Sequence, residues 1–245
     1  MGAPRKVYSS WIARSVLAAA IVAAATAVLS LGSSSALAGG SKSVSASTLL
    51  THACSDTLAA SAFDVQGQVK GGGSGPLSIN LHFGSAGNVM TLTENGDETV
   101  NIITNGTSAY MKGNHAFWQT EVSARDSGVA SLLAGRWIDV TSDKKDFSSL
   151  SKQLSKKNLL SQCGGGGSAS YVGHATINGI KVTKVHELAN QESDTYYVEG
   201  GSTSYILRVT GSASQKKSGD LVLSDYGLQP DTSEPPGTIP ISSLG

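Results

Sequence analysis

Positive charge is not in surplus in this chain: 18 Lys+Arg balance 18 Asp+Glu over 245 residues. A nucleic-acid binder concentrates basic residues on one face, and no such run is present, so that class is excluded. Histidine is sparse and scattered; the five residues make no His-Glu-x-x-His or comparable spacing. Cysteine is limited to Cys54 and Cys163, and no nearby His or Cys completes a metal-ligand set around either. The Gly-rich stretch at 71–75 is followed by no Gly-Lys-Ser/Thr and no helix start, so it is not a phosphate loop. Ser149-x-x-Lys152 and Lys217-Ser218-Gly219 superficially match serine β-lactamase motifs. No Ser-Asp-Asn lies between them, and Ser149 falls within a helical pattern rather than at a helix start. No enzyme activity and no cofactor are expected.

What is present begins with an export signal. Arg5, Lys6 and Arg14 precede an apolar run, Ser15 to Leu31, and then small residues ending in Ala36-Leu37-Ala38. That is the layout of a secretory signal peptide over 1–38, with cleavage after Ala38. The alternative is a retained anchor, because the apolar run is close to the minimum of about 17 residues that span a bilayer. Gly39 and Gly40 stand where a lipoprotein would carry its acylated Cys. Without residues 1–38, three basic and no acidic residues are lost, which leaves 15 Lys+Arg against 18 Asp+Glu and a formal charge of −3. One domain is expected over 39–241. In an exported chain Cys54 and Cys163 are expected to form a disulfide.

The first helical signal is 44–62, free of Gly and Pro, with Leu50, Cys54, Leu58 and Ala62 recurring every four residues as one face. His52 lies off that stripe. Strand signals follow. Phe63, Val65 and Val69 alternate with Asp64, Gln66, Gln68 and Lys70. Leu77, Ile79, Leu81 and Phe83 alternate with Ser78, Asn80 and His82, which reads as a solvated side. Asn95-Gly96, Asn105-Gly106 and Gly113-Asn114 punctuate a meander of short strands. Residues 121–135 predict a short helix stopped at Gly135, and Trp137 sits in an extended segment. Asp146 to Leu160 predicts a second short helix, with Asp146 as its cap and Phe147, Leu150 and Leu154 on one face.

Asn178-Gly179 then predicts a hairpin. The stretch from Thr195 to Gly227 predicts three successive antiparallel strands, the first two joined at Gly200-Gly201-Ser202 and the third over Leu221 to Gly227. The tail, 228–245, carries Pro230, Pro235, Pro236 and Pro240; it is expected to be extended, partly disordered or laid along a sheet edge. The order is helix, about six strands, a helical insert, about five strands. The fold class is therefore α+β: a large curved antiparallel β half-barrel with helices covering its concave face.

Several segments resemble the actinobacterial LppX/LprAFG lipoprotein family, related in fold to the LolA/LolB carriers. They are DVQGQV at 64–69, GTSAYMKGNHAFW at 106–118, LAGRWIDV at 133–140, Tyr196 to Val209, LVLSDYG at 221–227 and PPGTIPI at 235–241. The resemblance implies a U-shaped half-barrel with an apolar cavity, and a role in carrying or binding acylated lipids and lipoglycans at the cell envelope. The missing lipobox Cys departs from the family and puts tethering in doubt. The family supplies no catalytic residue to carry over.

The leading functional expectation is thus a secreted, cell-envelope carrier or binder of an acylated lipid or other hydrophobic ligand. Leu77, Ile79, Leu81 and Phe83 are the candidate cavity lining, with Val100 and Ile102 behind them; each also reads as ordinary core. The alternative is a non-enzymatic envelope scaffold or partner-binding module with a filled core, using Phe117-Trp118 and Tyr196, Tyr197 and Tyr205 as a contact surface. A monomer is expected, with no nucleic acid and with peripheral contact at the cell membrane.

Overall fold

The computed structural model describes residues 44–71, 74–122, 127–142, 155–160, 163–164, 167–189, 192–213 and 217–244. The expected export segment 1–38 lies outside them, as do Ser149, Lys152 and the expected cap Asp146. Twelve strands form one sheet: β1 Phe63–Gly71, β2 Ser74–Phe83, β3 Asn88–Glu94, β4 Glu98–Thr104, β5 Ala109–Gly113, β6 Ile138–Asp139, β7 Ser168–Ile177, β8 Ile180–Ala189, β9 Glu192–Glu199, β10 Ile206–Ala213, β11 Lys217–Ser224 and β12 Ile239–Pro240. The described helices are α1 Ala46–Ala59, α2 His115–Glu121, α3 Ser127–Leu133 and α4 Lys156–Leu159.

The strand order is β12-β6-β5-β4-β3-β2-β1-β11-β10-β9-β8-β7. Two meanders, β1–β6 and β7–β11, therefore meet back to back, and β1 pairs with both β2 and β11. Pairing is antiparallel everywhere except at the far edge, where Ile239–Pro240 of the tail runs parallel to β6. Proline has no N–H to give, which confines it to such an edge. The sheet is open and curled into a half-barrel. α1 packs across β7, β9 and β10, and α2 across β4 and β5.

Local chemistry sets the turns. Asn95-Gly96 and Asn178-Gly179 both hold positive φ at both residues, as two-residue hairpins demand. Gly135 also has a positive φ, where it ends the turn after α3. The loop between β9 and β10 is longer than Gly200-Gly201-Ser202 alone and extends through Tyr205.

Three expectations are corrected. The buried face of α1 is Ala46, Leu50, Ala53, Cys54 and Thr57, whereas Leu58 is exposed and Ala62 lies beyond the helix. A strict four-residue spacing drifts by about 40° per step on a helix of 3.6 residues per turn, so the i, i+3, i+4, i+7 set is the real stripe. Gly113-Asn114 is not a strand-to-strand turn. The Asn114 side chain accepts from the Phe117 N–H at 2.9 Å and starts α2. Finally, His82 is not simply solvated: its Nδ1 lies 2.7 Å from Oδ2 of Asp64, which is itself buried.

Candidate functional site

The concave face is built by alternation. Leu77, Ile79, Leu81 and Phe83 of β2 all point to the core and are buried. Ile79 stands opposite Leu92 of β3, which stands opposite Val100 of β4; Leu81, Met90 and Ile102 form the next row. All six predicted lining residues thus belong to one continuous apolar wall. Met90 and Leu92 complete it, two residues that the sequence reading passed over.

Helix α2 closes over this wall with Phe117 and Trp118, whose rings meet edge to face at 4.9 Å. Gly113 makes the approach feasible, because a Cβ there would lie 2.1 Å from Cδ1 of Phe117. Phe117, Trp118 and Tyr196 are buried, so they form no contact surface; Tyr197 and Tyr205 are half-buried.

Beside the wall three glycines stand among the inward-facing residues of the concave face. Gly67 takes the inward position between Val65 and Val69 on β1. Gly219 of β11 stands opposite both Val69 and Gly211 of β10. These three glycines are half-exposed near the seam between the two meanders, and the row of Gly67 continues through Leu221 and Val209. Gly67 is needed for close approach, since a Cβ would lie 1.9 Å from the carbonyl oxygen of Asp220. At Gly219 the nearest atom to an added Cβ is Val69 Cγ1 at 3.4 Å, an ordinary contact.

One side of this patch is acidic. The Asp194 carboxylate leans over Gly211, where a Cβ would meet its Oδ1 at 2.2 Å. Glu187 of β8 stands directly across from Asp194 and is buried. Burial pushes the Glu187 carboxyl up, while the backbone N–H groups of Gly164 and Gly167 donate to it and pull it down. The disulfide Cys54–Cys163 sits next to that segment, with Gly164 3.5 Å from Cys54 Sγ by its would-be Cβ.

The opposite end of the half-barrel is stoppered by aromatic rings. Phe83 packs on Phe63 at 5.1 Å, Phe63 on Tyr226 at 5.6 Å and Tyr226 on Tyr205 at 4.1 Å. The Tyr226 hydroxyl donates to the Ile206 carbonyl, and burial raises its pKa. Lys156 of α4 donates to the carbonyls of Ala60 at 2.6 Å and Ser61 at 3.0 Å, just past the end of α1, and lies over the Phe63 ring. Burial lowers its pKa. The concave face thus carries an apolar wall on β2–β4, glycines at the β1–β11 seam and a ring stack at one end.

In fold, the chain is similar to LprF. The crystal structure of LprF from Mycobacterium bovis matches with a TM-score of 0.51 at 12% identity, over 78% of this chain and 96% of that one. The Mycobacterium tuberculosis lipoprotein LppX aligns with a TM-score of 0.48 at 12% identity, over 76% and 97%. No family model matches the chain, and no curated protein matches it. The likeness is one of fold.

The convex face is chemically different. Arg208 of β10 makes a two-pronged pair with Asp220 of β11, at 2.8 and 2.6 Å, and its guanidinium also lies over Tyr197. Lys184 shares the same ring at 5.9 Å. Among the described residues no group of three His, Cys, Asp or Glu is placed to hold a metal ion, and no helix is long and apolar enough to cross a membrane.

Proposed function

We propose that this protein is an extracytoplasmic, non-enzymatic carrier or binder of an acylated lipid or lipoglycan, acting as a monomer. The observation that carries the reading is the half-exposed Gly219, set beside the apolar wall, where an added Cβ would meet only Val69 Cγ1 at 3.4 Å. Bare backbone on a concave face gives an acyl chain room to lie without displacing side chains. The fold likeness to LprF supports the architecture on which this rests.

A second reading has its own support. The predicted lining residues all belong to one buried core cluster, as they would in a scaffold or partner-binding module with a filled interior. Mass spectrometry of organic extracts of the protein, purified from its own host, separates the two. A stoichiometric acyl lipid is expected. The substitution Gly219→Leu covers that backbone from a position with ordinary neighbours; it is expected to lower the bound lipid several-fold while leaving the fold intact. A clean extract from protein with its disulfide formed would favour the filled-core module. Hydrolysis of a generic ester, lost in Ser149→Ala, would overturn the non-enzymatic part.

A further inference from the structure

The convex face of the sheet divides into a charged half and a neutral half. On β8, β10 and β11 its side chains include Lys184, Arg208 and Asp220. On β1–β4 the alternation that turns Val65, Ile79, Leu92 and Val100 inward turns amides and hydroxyls outward. Register sets them in two straight rows. Gln66 stands opposite Asn80, Asn80 opposite Thr91 and Thr91 opposite Asn101. Gln68, Ser78, Thr93 and Thr99 make the row beside it. Neither row carries a charge, whereas a soluble surface normally intersperses charges of both signs. Charges at the border are engaged elsewhere. Asp220 pairs with Arg208, Asp64 with His82, and Lys112 lies over the Trp137 ring. Glu94 and Glu98 belong to the inward alternation, where Glu98 accepts from Thr120 of α2, and Asp97 sits in the turn between them. Lys70 is exposed beyond Gln68, near the end of β1.

Three cross-strand hydrogen bonds hold these side chains in place. Thr91 donates to Asn101 at 2.8 Å, Thr93 and Thr99 share one at 3.1 Å, and Gln68 donates to Ser78 at 3.4 Å. Asn80 differs: its Oδ1 is buried and no described group donates to it. A buried acceptor without a donor costs free energy. We propose that the convex face of β1–β4 is a binding surface for an uncharged polysaccharide. Sugar hydroxyls both donate and accept, as do carboxamides and the hydroxyls of Ser and Thr. Side chains already fixed in rows lose little freedom on binding. Four strands span about 14 Å and the rows lie about 7 Å apart, a flat area wider than one sugar ring. Other occupants fit poorly. An anionic polymer or bilayer calls for a basic surface, and a packed partner sheet calls for apolar side chains at the centre of the contact. The surface lies on the side of the sheet away from the concave face, so the inference is independent of any cargo. A clean lipid extract with intact polysaccharide binding leaves it standing, and a lipid-loaded protein that binds no polysaccharide removes it.

Affinity electrophoresis in native gels containing dextran, mannan or soluble starch tests this on the protein as its host processes it, with dextran sulfate as the charge control. The wild type is expected to be retarded by at least one of the neutral polymers, and no more strongly by dextran sulfate. The double variant Thr91→Ala, Asn101→Ala removes one hydrogen-bonded pair and is expected to weaken binding about tenfold. Gln66→Ala, at an exposed position, is expected to weaken it about threefold. Thr195→Ala, Thr210→Ala removes a facing pair from the charged half and is expected to change nothing. No retardation of the wild type by any neutral polymer, or unchanged retardation in both β1–β4 variants, would overturn the assignment. So would an equal loss in the Thr195, Thr210 control. Stronger retardation by dextran sulfate than by dextran would show that charge is recognised rather than hydroxyls, and would overturn it as well.

Discussion

Glu187 holds a carboxylate between opposing influences, with burial raising its pKa and two backbone N–H donors lowering it; burial is the larger. A carboxyl whose folded pKa lies above its unfolded value, ordinarily about 4.3, binds its proton more tightly when folded. The stability it contributes is fully present below the unfolded pKa and is lost as pH rises through the folded one. Melting temperature is therefore expected to fall across the window just above the ordinary carboxylate range, and Glu187→Gln to flatten that slope. A slope unchanged in the variant would assign it to other groups. The glycines separate by neighbourhood in the same way. Gly67→Ala drives a Cβ into the Asp220 carbonyl and is expected to cost roughly 2–3 kcal/mol in denaturant unfolding. Gly219→Ala is expected to be close to neutral. None of this was legible in the sequence. Gly67, Gly211 and Gly219 become one patch only through cross-strand register, and a lone glycine in a strand does not announce its partners. His82 and Asp64 escaped for the same reason, since they meet across β1 and β2.

At the level of elements, short apolar runs misled where long alternating ones did not. β2 alternates over its whole length, and its inward residues were readable one by one. The run after Gly113 is too brief to separate helix from strand by period, and the Gly-Asn pair reads as a turn. Only the hydrogen bonds of Asn114 decide it. Its side chain accepts from Phe117 and Thr99 and donates to the Asp97 carbonyl. Asn114→Ala is expected to cost about 1–2 kcal/mol, toward the upper end for an N-cap, as measured by chemical unfolding. A cost near zero would mean that ring packing alone holds α2. Helix α1 is fixed differently, by the disulfide to Cys163 across 109 positions. The chain-entropy model gives roughly 4–5 kcal/mol for a loop of that size. A Cys54→Ser, Cys163→Ser double variant is expected to lose much of that, while a loss below 1 kcal/mol would show that the unfolded chain gains little freedom.

For the molecule as a whole, the fold class, the two groups of strands and the helical insert were legible from alternation and turn chemistry. The partner of β1 was not. Nothing within DVQGQV or LVLSDYG states that they pair, because both are simply apolar on one side. Their adjacency is a property of the assembled sheet, in which Val65 stands between Leu81 and Leu223. Pulse-labelled hydrogen exchange during refolding is expected to protect the β3–β4 and β8–β9 pairs before the β1–β11 pair, because loop closure over a long separation is slow. Simultaneous protection would contradict this. That seam also fixes a sequence of events for a chain emerging with its N-terminus first. Gly71 and Lys217 are 146 positions apart, so β1 waits with one side unpaired until almost the entire polypeptide has followed it. During that interval its open edge can recruit any passing strand. The most vulnerable moment in the life of this molecule is therefore its birth, and whatever escorts it then must shield the middle of the finished sheet rather than its rim.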